Sequence, residues 1–222
     1  MLVSTLCYIE NNGSFLMLLR NRKKKDVNKG KWIGVGGKLE NGETPDECLL
    51  REVKEETGLT LNDYRIRGTL SFSSEGYEDE LIFVYTSGDF TGKLSDCDEG
   101  ELKFISFDEI PELSLWEGDR IFLKLLLSDA PFFSLRLSYT GDTLKEQVLR
   151  LEHPSVIVPD DGNTRFRCPC CGSFSLEEKD AYEICPVCSW EDDPKQERDP
   201  FLSGGANKMS LMEARASYRR GK

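Results

Sequence analysis

Three glutamates stand within five residues of each other, at positions 52, 55 and 56. Glu52, Glu55 and Glu56 have the i, i+3, i+4 spacing that places side chains along one edge of an α-helix. Two negative charges about 4 Å apart repel by roughly 4 kcal/mol at an effective dielectric constant of about 20, which favours a cation among them. Oxygen ligands select Mg²⁺ or Mn²⁺ before zinc. A solvated acidic helix is the alternative that the three glutamates alone would favour.

The flanking residues predict where this helix begins and ends. Thr44 can act as the N-cap, Pro45 suits the first helical position and Glu47 completes a capping box. Gly58 suits the position just past the C-terminus. The sequence therefore predicts a helix over about residues 45–57, with the carboxylates beside its apolar face.

Strands are predicted on both sides of this helix, because the chain there is rich in aromatic and β-branched residues. The predicted strands cover residues 2–9, 14–20, about 64–74, 80–87, 102–107, the PFFSLRLSY segment and its expected partner, 142–151. A second helix is predicted from about residue 118 to residue 127. This order predicts a mixed α/β layered domain over residues 1–152.

A different kind of module is expected after a linker. Residues 153–165 have the Pro, Asp and Gly content of a linker, and residues 166–222 form the predicted module. Cys168 and Cys171 form one CxxC pair, and Cys185 and Cys188 form another after thirteen intervening residues. This spacing predicts a tetrahedral four-cysteine Zn²⁺ site of the zinc-ribbon type. A redox CxxC pair is the alternative, and the extra thiol of Cys170 could compete with Cys171 or remain free.

Charge and composition narrow the function classes. The formal net charge of −11 argues against a general nucleic-acid or anionic-membrane binder. The first twenty residues indicate neither a signal peptide nor a transmembrane span. Eight cysteines without a secretion signal favour a reducing, cytoplasmic compartment, and those at positions 7, 48 and 97 are expected to be buried. A basic loop over residues 22–31 is either a solvated surface or a site that attracts phosphate.

The residues around the three glutamates resemble the Nudix box at every fixed position. The matching positions are Gly37, Glu43, Arg51, Glu52, Val53, Glu55, Glu56, Gly58 and Leu59. The resemblance implies an α/β/α sandwich and hydrolysis of a nucleoside diphosphate linked to another group. It further implies that the three glutamates carry divalent metals, that the Gly37 carbonyl adds a ligand, and that Arg51 orients the glutamates. Glu43 is expected to have a structural role.

A wider resemblance, over about residues 1–152, is to the bacterial MutX/MutT-type 8-oxo-dGTP diphosphatases. It rests on the box, the Asp98-Glu99-Gly100 turn, the Trp116 to Asp119 segment and the PFFSLRLSYTGD run. It implies attack of water on a nucleoside triphosphate, release of pyrophosphate, and removal of oxidised guanine from the precursor pool before DNA synthesis. By the same resemblance, Glu99 is a further metal ligand or base, with Glu101 as the alternative.

The substrate-binding residues implied by this resemblance are Lys38, Trp116, Asp119 and Ile33. Ile33 departs from the pattern, because a relative has a base-reading asparagine after the corresponding tryptophan and isoleucine cannot hydrogen-bond a purine edge. Discrimination of the base must then come from Asp119, from backbone groups or from elsewhere. Another nucleoside diphosphate derivative is the alternative substrate, and a nucleotide-sensing binding protein is the alternative to an enzyme.

The C-terminal residues 166–218 resemble the bacterial cysteine-rich CPCC domain. The matching segments are CPCCG, CPVCSWEDDP and GGANKMSLMEARASY. Trp190 and a helix over residues 210–218 are expected to pack on the metal knuckles. Because acidic and basic residues are roughly balanced there, a protein partner is a better hypothesis than a nucleic acid.

Overall fold

The computed structural model describes residues 1–24, 26–151 and 165–221. They form two compact units, Met1–Leu123 with Phe132–Leu149, and Lys124–Pro131 with Arg150–Lys222. The expected linker lies outside the described residues except for its last residue, so the domain boundaries remain predictions.

An eight-stranded mixed sheet organises the first unit. Its strands are β1 (Leu2–Asn11), β2 (Ser14–Arg20), β3 (Trp32–Ile33), β4 (Thr60–Ser74), β5 (Glu80–Thr91), β6 (Gly100–Ser106), β7 (Phe133–Thr140) and β8 (Thr143–Leu151). The strand order is β3-β2-β1-β5-β4-β7-β8, and β6 pairs with β2. The β1–β5 and β4–β7 pairs are parallel, whereas β2 pairs antiparallel with β1, β3 and β6.

Local signals set the first hairpin and the first helix. Asn12 and Gly13 have φ values of 48° and 74°, which suit the tight turn between β1 and β2. Helix α1 (Pro45–Thr57) has the expected capping box at Thr44, and Gly58 ends it in the left-handed conformation at φ 73°. The predicted bounds of this helix are confirmed.

The other helices are shorter. They are a 3₁₀ turn (Ile110–Glu112), α2 (Glu117–Leu127), α3 (Pro194–Arg198) and α4 (Leu211–Arg220). The predicted helices over 118–127 and 210–218 correspond to α2 and α4. No helix in the described part of the chain is both long and apolar enough to cross a membrane.

The sheet buries a different set of side chains on each face, because successive residues of a strand point to opposite sides. Cys7 and Ile9 of β1 belong to a buried cluster with Leu49 and Val53 of α1. Tyr8, between them, points the other way, with its ring centroid 5.9 Å from that of Phe122 on α2. A helix therefore covers each face, and the expected α/β/α sandwich is confirmed.

The second unit is built around its cysteines. Strands β9 (Phe166–Arg167) and β10 (Phe174–Leu176) pair antiparallel. Trp190 is 3% exposed and packs in one buried cluster with Cys168, Cys185 and Leu211 of α4. The expected packing of Trp190 and the C-terminal helix on the cysteine segment is confirmed.

Candidate functional site

Glu52 lies directly against the loop that precedes α1. A Cβ atom at position 37 would be 2.3 Å from Glu52 Oε1 and 2.6 Å from Oε2, so only glycine leaves room for this carboxylate. The Gly37 carbonyl accepts a hydrogen bond from the Thr5 backbone N–H at 2.9 Å and a longer one from the Cys48 thiol at 3.5 Å. Part of the acceptor capacity of this carbonyl is therefore used within the fold, and its role as a metal ligand stays a prediction.

Arg51 connects the loop to the helix. Its Nε and Nη2 atoms donate to Glu43 Oε1 and Oε2 at 2.8 and 2.9 Å, and its Nη1 donates to Glu52 at 2.8 Å and to Glu55 at 3.2 Å. Its Nη2 also donates to the Lys38 carbonyl at 3.1 Å. Hydrogen bonds from Arg51 and the backbone N–H of Glu40 lower the pKa of Glu43 to about 2.

Glu56 is the buried member of the three glutamates. It is 8% exposed, and its Oε2 accepts a hydrogen bond from the Gly36 backbone N–H at 2.8 Å. Burial raises the pKa of Glu56 to about 7. The hydrogen bond from the Gly36 N–H lowers this pKa, and the negative charge of Glu52 raises it. The positive charges of Arg20 and Lys23 also lower this pKa. Glu56 therefore faces the same loop as Glu52, with cations nearby.

The glutamates of α1 do not converge on one point in this structure. Glu55 is 63% exposed, whereas Glu52 is 16% exposed and Glu56 is buried. Within the described ranges, only a group of four cysteines brings three or more potential ligand atoms within 4.8 Å of one another. The donor set still suits a hard divalent cation, because it offers carboxylate oxygens around a loop where glycine leaves space.

Glu99 forms ion pairs with residues at the end of β2. Arg20 Nη1 and Lys23 Nζ both contact its carboxylate, and Arg20 Nε donates to Asp26 Oδ2 at 2.7 Å. Because Arg20 and Lys23 also act on Glu56, Glu99 and the α1 carboxylates share one electrostatic environment. Glu101 is exposed on β6, opposite Leu19, and no ion pair joins it to this group of residues in the described structure.

Trp116 is fixed by the segment before β3. Its Nε1 donates to Asn28 Oδ1 at 2.9 Å, and Lys31 Nζ lies 4.9 Å from the centroid of its ring. The Tyr139 ring meets it edge-on, with 6.0 Å between centroids. Trp116 is therefore held by contacts with three side chains and is partly buried.

Asp119 lies in the first turn of α2, close to Trp116. Burial raises the pKa of Asp119 to about 7, although the backbone N–H of Trp116 and the charges of Lys31 and Arg120 lower it. A carboxyl group with this pKa is partly protonated at neutral pH, so it can donate as well as accept a hydrogen bond. Trp116 and Asp119 thus lie close together, and the substrate-binding role that the resemblance implies for them stays a prediction.

Two expected substrate residues lie elsewhere. Ile33 packs against the buried cluster of Cys7, Ile9 and the α1 residues, so its side chain is on the α1 side of the sheet. Lys38 is exposed on the loop before α1, and its backbone pairs with Ser4. The structure thus separates Ile33 from Trp116, and it leaves the Lys38 side chain on the same loop as Gly37.

Two residues of this site had no assigned role in the sequence pattern. Arg20 ends an apolar strand, and Asn28 lies in a polar loop. Only Arg20 gave a usable signal, because a charge directly after an apolar run marks the rim of a sheet. Asn28 gains its role from its hydrogen bond with Trp116, 88 positions away.

The cysteine cluster has the geometry of a metal site. Cys168 Sγ lies 3.6 Å from Cys188 Sγ, and Cys171 Sγ lies 3.7 Å from Cys185 Sγ. Among the described residues, Cys170 lies outside this four-sulfur group. Such a set of thiolates suits Zn²⁺ in a closed tetrahedral site.

Hydrogen bonds prepare one of these sulfurs for the thiolate form. Burial raises the pKa of Cys185. Hydrogen bonds to its sulfur from the Ser175 hydroxyl and the Val187 backbone N–H outweigh this effect, so the pKa falls to about 6. Burial raises the pKa of Cys168 and of Cys188. A bound cation would oppose that rise, because metal ligation requires deprotonated sulfur.

Both parts of the chain match known families. Residues 2–126 match the NUDIX domain family, and residues 166–221 match the cysteine-rich CPCC family. This chain belongs to the Nudix hydrolase family. The glutamates of α1, Arg51 and the Gly37 loop lie within the residues that match this family.

This Nudix hydrolase has curated relatives with named activities. It is 32% identical over 134 residues to the oxidized purine nucleoside triphosphate hydrolase of Danio rerio, covering 60% of this chain and 85% of the relative. It is 30% identical over 100 residues to the 8-oxo-dGTP diphosphatase of Proteus vulgaris, covering 44% of this chain and 86% of the relative. Each alignment therefore spans most of the relative's length.

A solved structure supports the fold of this Nudix hydrolase. The crystal structure of a mutator MutT protein from Bacillus halodurans matches with a TM-score of 0.61 at 28% sequence identity. The match covers 67% of this chain and 97% of the other. The expected Nudix fold with a mixed sheet is therefore confirmed.

Proposed function

We propose that this Nudix hydrolase cleaves nucleoside triphosphates to a nucleoside monophosphate and pyrophosphate, with oxidised purine dNTPs such as 8-oxo-dGTP as its substrates. One observation carries the proposal: buried and half-buried carboxylates of α1 lie beside the Gly36-Gly37 backbone, with Arg20 and Lys23 close by. Such a juxtaposition of anions and cations suits a polyphosphate with its metal ion. The names of the Danio rerio and Proteus vulgaris relatives agree with this substrate class.

The metal-binding residues in this proposal are Glu52, Glu55 and Glu56, with the Gly37 carbonyl as an added ligand and Mg²⁺ or Mn²⁺ as the ion. When bound, the ion neutralises phosphate charge and helps to orient the attacking water. Arg51 holds the Glu52 and Glu55 carboxylates in place from one side. The Glu52 and Glu55 side chains are therefore paired with Arg51 before the ion binds. This pairing lowers the entropic cost of ordering the site.

Cations of this chain bind the phosphates in the proposal. Arg20 and Lys23 are paired with Glu99 in the free protein, and Lys38 is exposed on the Gly37 loop. A chain with a formal net charge of −11 needs such local positive groups to attract a triphosphate. Glu99 then becomes available as a further metal ligand or as a base. Glu52 and Glu55 are the other candidates for the base.

The nucleobase stacks on Trp116 in this proposal, and Asp119 hydrogen-bonds its edge. Asn28 holds the indole in position for stacking on an aromatic ring. The Asp119 carboxyl, with a pKa of about 7, can donate or accept a hydrogen bond at the polar edge of that ring. Removal of oxidised purine nucleotides would protect newly made DNA. None of the eight cysteines, all of which lie in the described ranges, forms a disulfide, which supports the reducing cytoplasm as the compartment of this activity.

A pair of variants tests the hydrolase assignment. Wild-type protein with Mg²⁺ or Mn²⁺ is expected to release pyrophosphate from 8-oxo-dGTP faster than from dGTP, dCTP or a nucleotide sugar. Glu55→Gln removes one charge from an exposed side chain and is expected to abolish turnover while the thermal unfolding midpoint stays close to wild type. Glu112→Gln, on an exposed 3₁₀ turn, is the matched control. Full activity of Glu55→Gln, or no turnover of any nucleotide by the wild type, would contradict the proposal.

We also propose Zn²⁺ as the ion of the four-cysteine cluster. The sulfur distances and the Cys185 hydrogen bonds support a closed structural site that stabilises a short module. Contact with another protein is the proposed role of this module, and the exposed Ile184 and Val187 beside the second cysteine pair support it.

A further inference from the structure

Asp26 is a nearly buried carboxylate in the loop between β2 and β3. Its side chain is 5% exposed, and each of its two oxygens accepts a hydrogen bond. Arg20 Nε donates to Oδ2 at 2.7 Å, and the backbone N–H of Asn28 donates to Oδ1 at 2.9 Å. The proposed function gives this carboxylate no role of its own.

The surroundings of Asp26 keep it ionised. Burial raises the pKa of its carboxyl, but the hydrogen bonds from Arg20 and Asn28 outweigh burial, so the pKa lies below its usual value. The positive charges of Arg20 and Lys23 lower the pKa further. A carboxylate anion makes stronger hydrogen bonds than a neutral acceptor, so it holds both of its donors firmly.

Arg20 connects Asp26 to the carboxylates of the proposed metal site. Its Nη1 contacts Glu99, and its positive charge lowers the pKa of Glu56. Asp26 holds the Nε of the same guanidinium, which is planar and rigid. Because one fixed edge orients the whole planar group, Asp26 sets the direction in which Arg20 faces Glu99.

Asn28 connects Asp26 to the indole of Trp116. Its backbone N–H is held by Asp26, and its Oδ1 accepts a hydrogen bond from Trp116 Nε1 at 2.9 Å. The same loop is also attached to the segment before Trp116, since Lys31 Nζ donates to the Leu115 carbonyl at 3.1 Å. The orientation of the indole therefore depends on the conformation of the loop around Asp26.

A local turn explains only one of the two contacts of Asp26. Aspartate and asparagine side chains commonly accept a hydrogen bond from the backbone N–H two residues later, as Asp26 does from Asn28. An asparagine here would make that contact but would direct its amide nitrogen, a donor, at the Arg20 guanidinium. A carboxylate serves both donors, so the second contact indicates a role beyond the turn.

We propose that Asp26 is a positioning residue, which holds Arg20 for the triphosphate and Trp116 for the base at the same time. This proposal rests on the proposed function, in which Arg20 binds phosphate and Trp116 stacks on the base. The contacts run in order through Glu99, Arg20, Asp26, Asn28 and Trp116. They set both groups in place before the substrate binds, which lowers the entropic cost of binding and requires no movement of the loop.

Asp26→Ala removes both contacts and tests the proposal. Binding of dGMP, and separately of pyrophosphate with Mg²⁺, is measured by calorimetry and is expected to weaken about tenfold, the usual effect of one lost hydrogen bond to a charged group. Asn28→Ala should weaken dGMP binding to a similar extent and leave pyrophosphate binding unchanged. Asp96→Ala is the matched control, because it removes the same charge from a 98% exposed side chain near Arg22. It should change neither affinity.

The double variant separates positioning from a general loss of structure. Asp26 acts on the indole through Asn28, so Asp26→Ala should cost little further dGMP affinity in a protein that already carries Asn28→Ala. Losses of dGMP affinity that add fully would overturn the proposal. If Asp26→Ala does not fold at the assay temperature, Asn28→Ala decides, and wild-type dGMP affinity in that variant would overturn the proposal.

The same binding measurements distinguish this inference from the proposed function. Wild-type affinities for dGMP and pyrophosphate in Asp26→Ala would overturn the role of Asp26 and leave hydrolysis by the wild type standing. Weaker binding of both ligands by Asp26→Ala supports the role of Asp26 even if the wild type hydrolyses no triphosphate, a result that overturns only the proposed function. Absence of dGMP binding by the wild type would overturn both.

Discussion

Arg51 and Glu43 form a two-point ion pair, with Nε 2.8 Å from Oε1 and Nη2 2.9 Å from Oε2. The remaining nitrogen of the same guanidinium donates to Glu52 and Glu55. A planar guanidinium held at two points has little freedom to rotate. Glu43, which lies before the helix, therefore fixes the direction from which Arg51 arranges the carboxylates on it.

Replacement of Arg51 by lysine is expected to reduce kcat by about 10- to 100-fold, the usual effect of a lost supporting contact at a metal site. An ammonium group keeps the charge but cannot contact Glu43, Glu52 and Glu55 together. Steady-state kinetics with saturating Mg²⁺ measure the effect. Arg136→Lys, at an exposed pair with Glu146, should leave kcat unchanged. A wild-type kcat for Arg51→Lys would show that a single charge is sufficient.

Gly37→Ala is expected to weaken Mg²⁺ or Mn²⁺ binding by about tenfold or more. The added methyl group would lie 2.3 to 2.6 Å from the Glu52 carboxylate and must displace it. Calorimetric titration of the nucleotide-free protein with Mn²⁺ measures this loss directly. Gly88→Ala is the control, because no atom lies within 4 Å of its added Cβ. Unchanged Mn²⁺ affinity in Gly37→Ala would remove Glu52 from the ligand set.

Zinc content should distinguish Cys185 from Cys170. Purified protein is expected to contain about one Zn²⁺ per chain by the four-thiolate geometry, and Cys170→Ser should keep it. Cys185→Ser removes a sulfur whose thiolate is stabilised by hydrogen bonds, so Zn²⁺ should be lost and the second unit should unfold more readily. Elemental analysis and limited proteolysis measure the two effects. Loss of Zn²⁺ from Cys170→Ser instead would assign that thiol as a ligand.

Asp119 should make stability depend on pH in the nucleotide-free protein. Burial raises its pKa from 3.8 to about 7, so between those values the folded state holds a proton that the unfolded chain has lost. The free energy of unfolding therefore falls as pH rises through this window. Asp119→Asn cannot titrate. The difference between its unfolding midpoint and that of wild type should therefore increase as the pH is raised from about 4 to about 7.

Denaturant unfolding at several pH values measures this difference. The pKa values of Glu56 and Glu197 are raised in the same direction, and both groups remain in the variant, so the difference between the proteins isolates Asp119. A difference that is constant across the pH range would show that Asp119 stays ionised in the folded protein.

Elements with local signals were predictable from the sequence, and α1 is the clearest case. Its start and end follow from Thr44 and Gly58, which act through contacts within one turn of the helix. By contrast, β3 has two residues and was not predicted, because so short a strand has no periodicity. Its existence depends on pairing with β2, at Leu18 and Leu19.

The direction of single side chains was the harder problem. The spacing alone did not separate Glu99 from Glu101, and the ion pairs of Glu99 depend on where the loop before β6 meets the end of β2. The side of the sheet that Ile33 faces follows from the register of β3, which no local pattern records.

The parallel pairing of β1 with β5 also bears on how this chain folds during synthesis. Leu2 pairs with Glu80 and Ile9 pairs with Ser87, so one edge of β1 pairs with residues that lie 78 positions downstream. Contacts of such long sequence separation form slowly, because a large loop must close first. Until β5 has been synthesised, β1 and β2 form a hairpin without a partner strand. The apolar side chains of this hairpin are exposed in the nascent chain and accessible to chaperones. Translation through β5 supplies the partner of β1, and translation through β6 supplies the partner of β2.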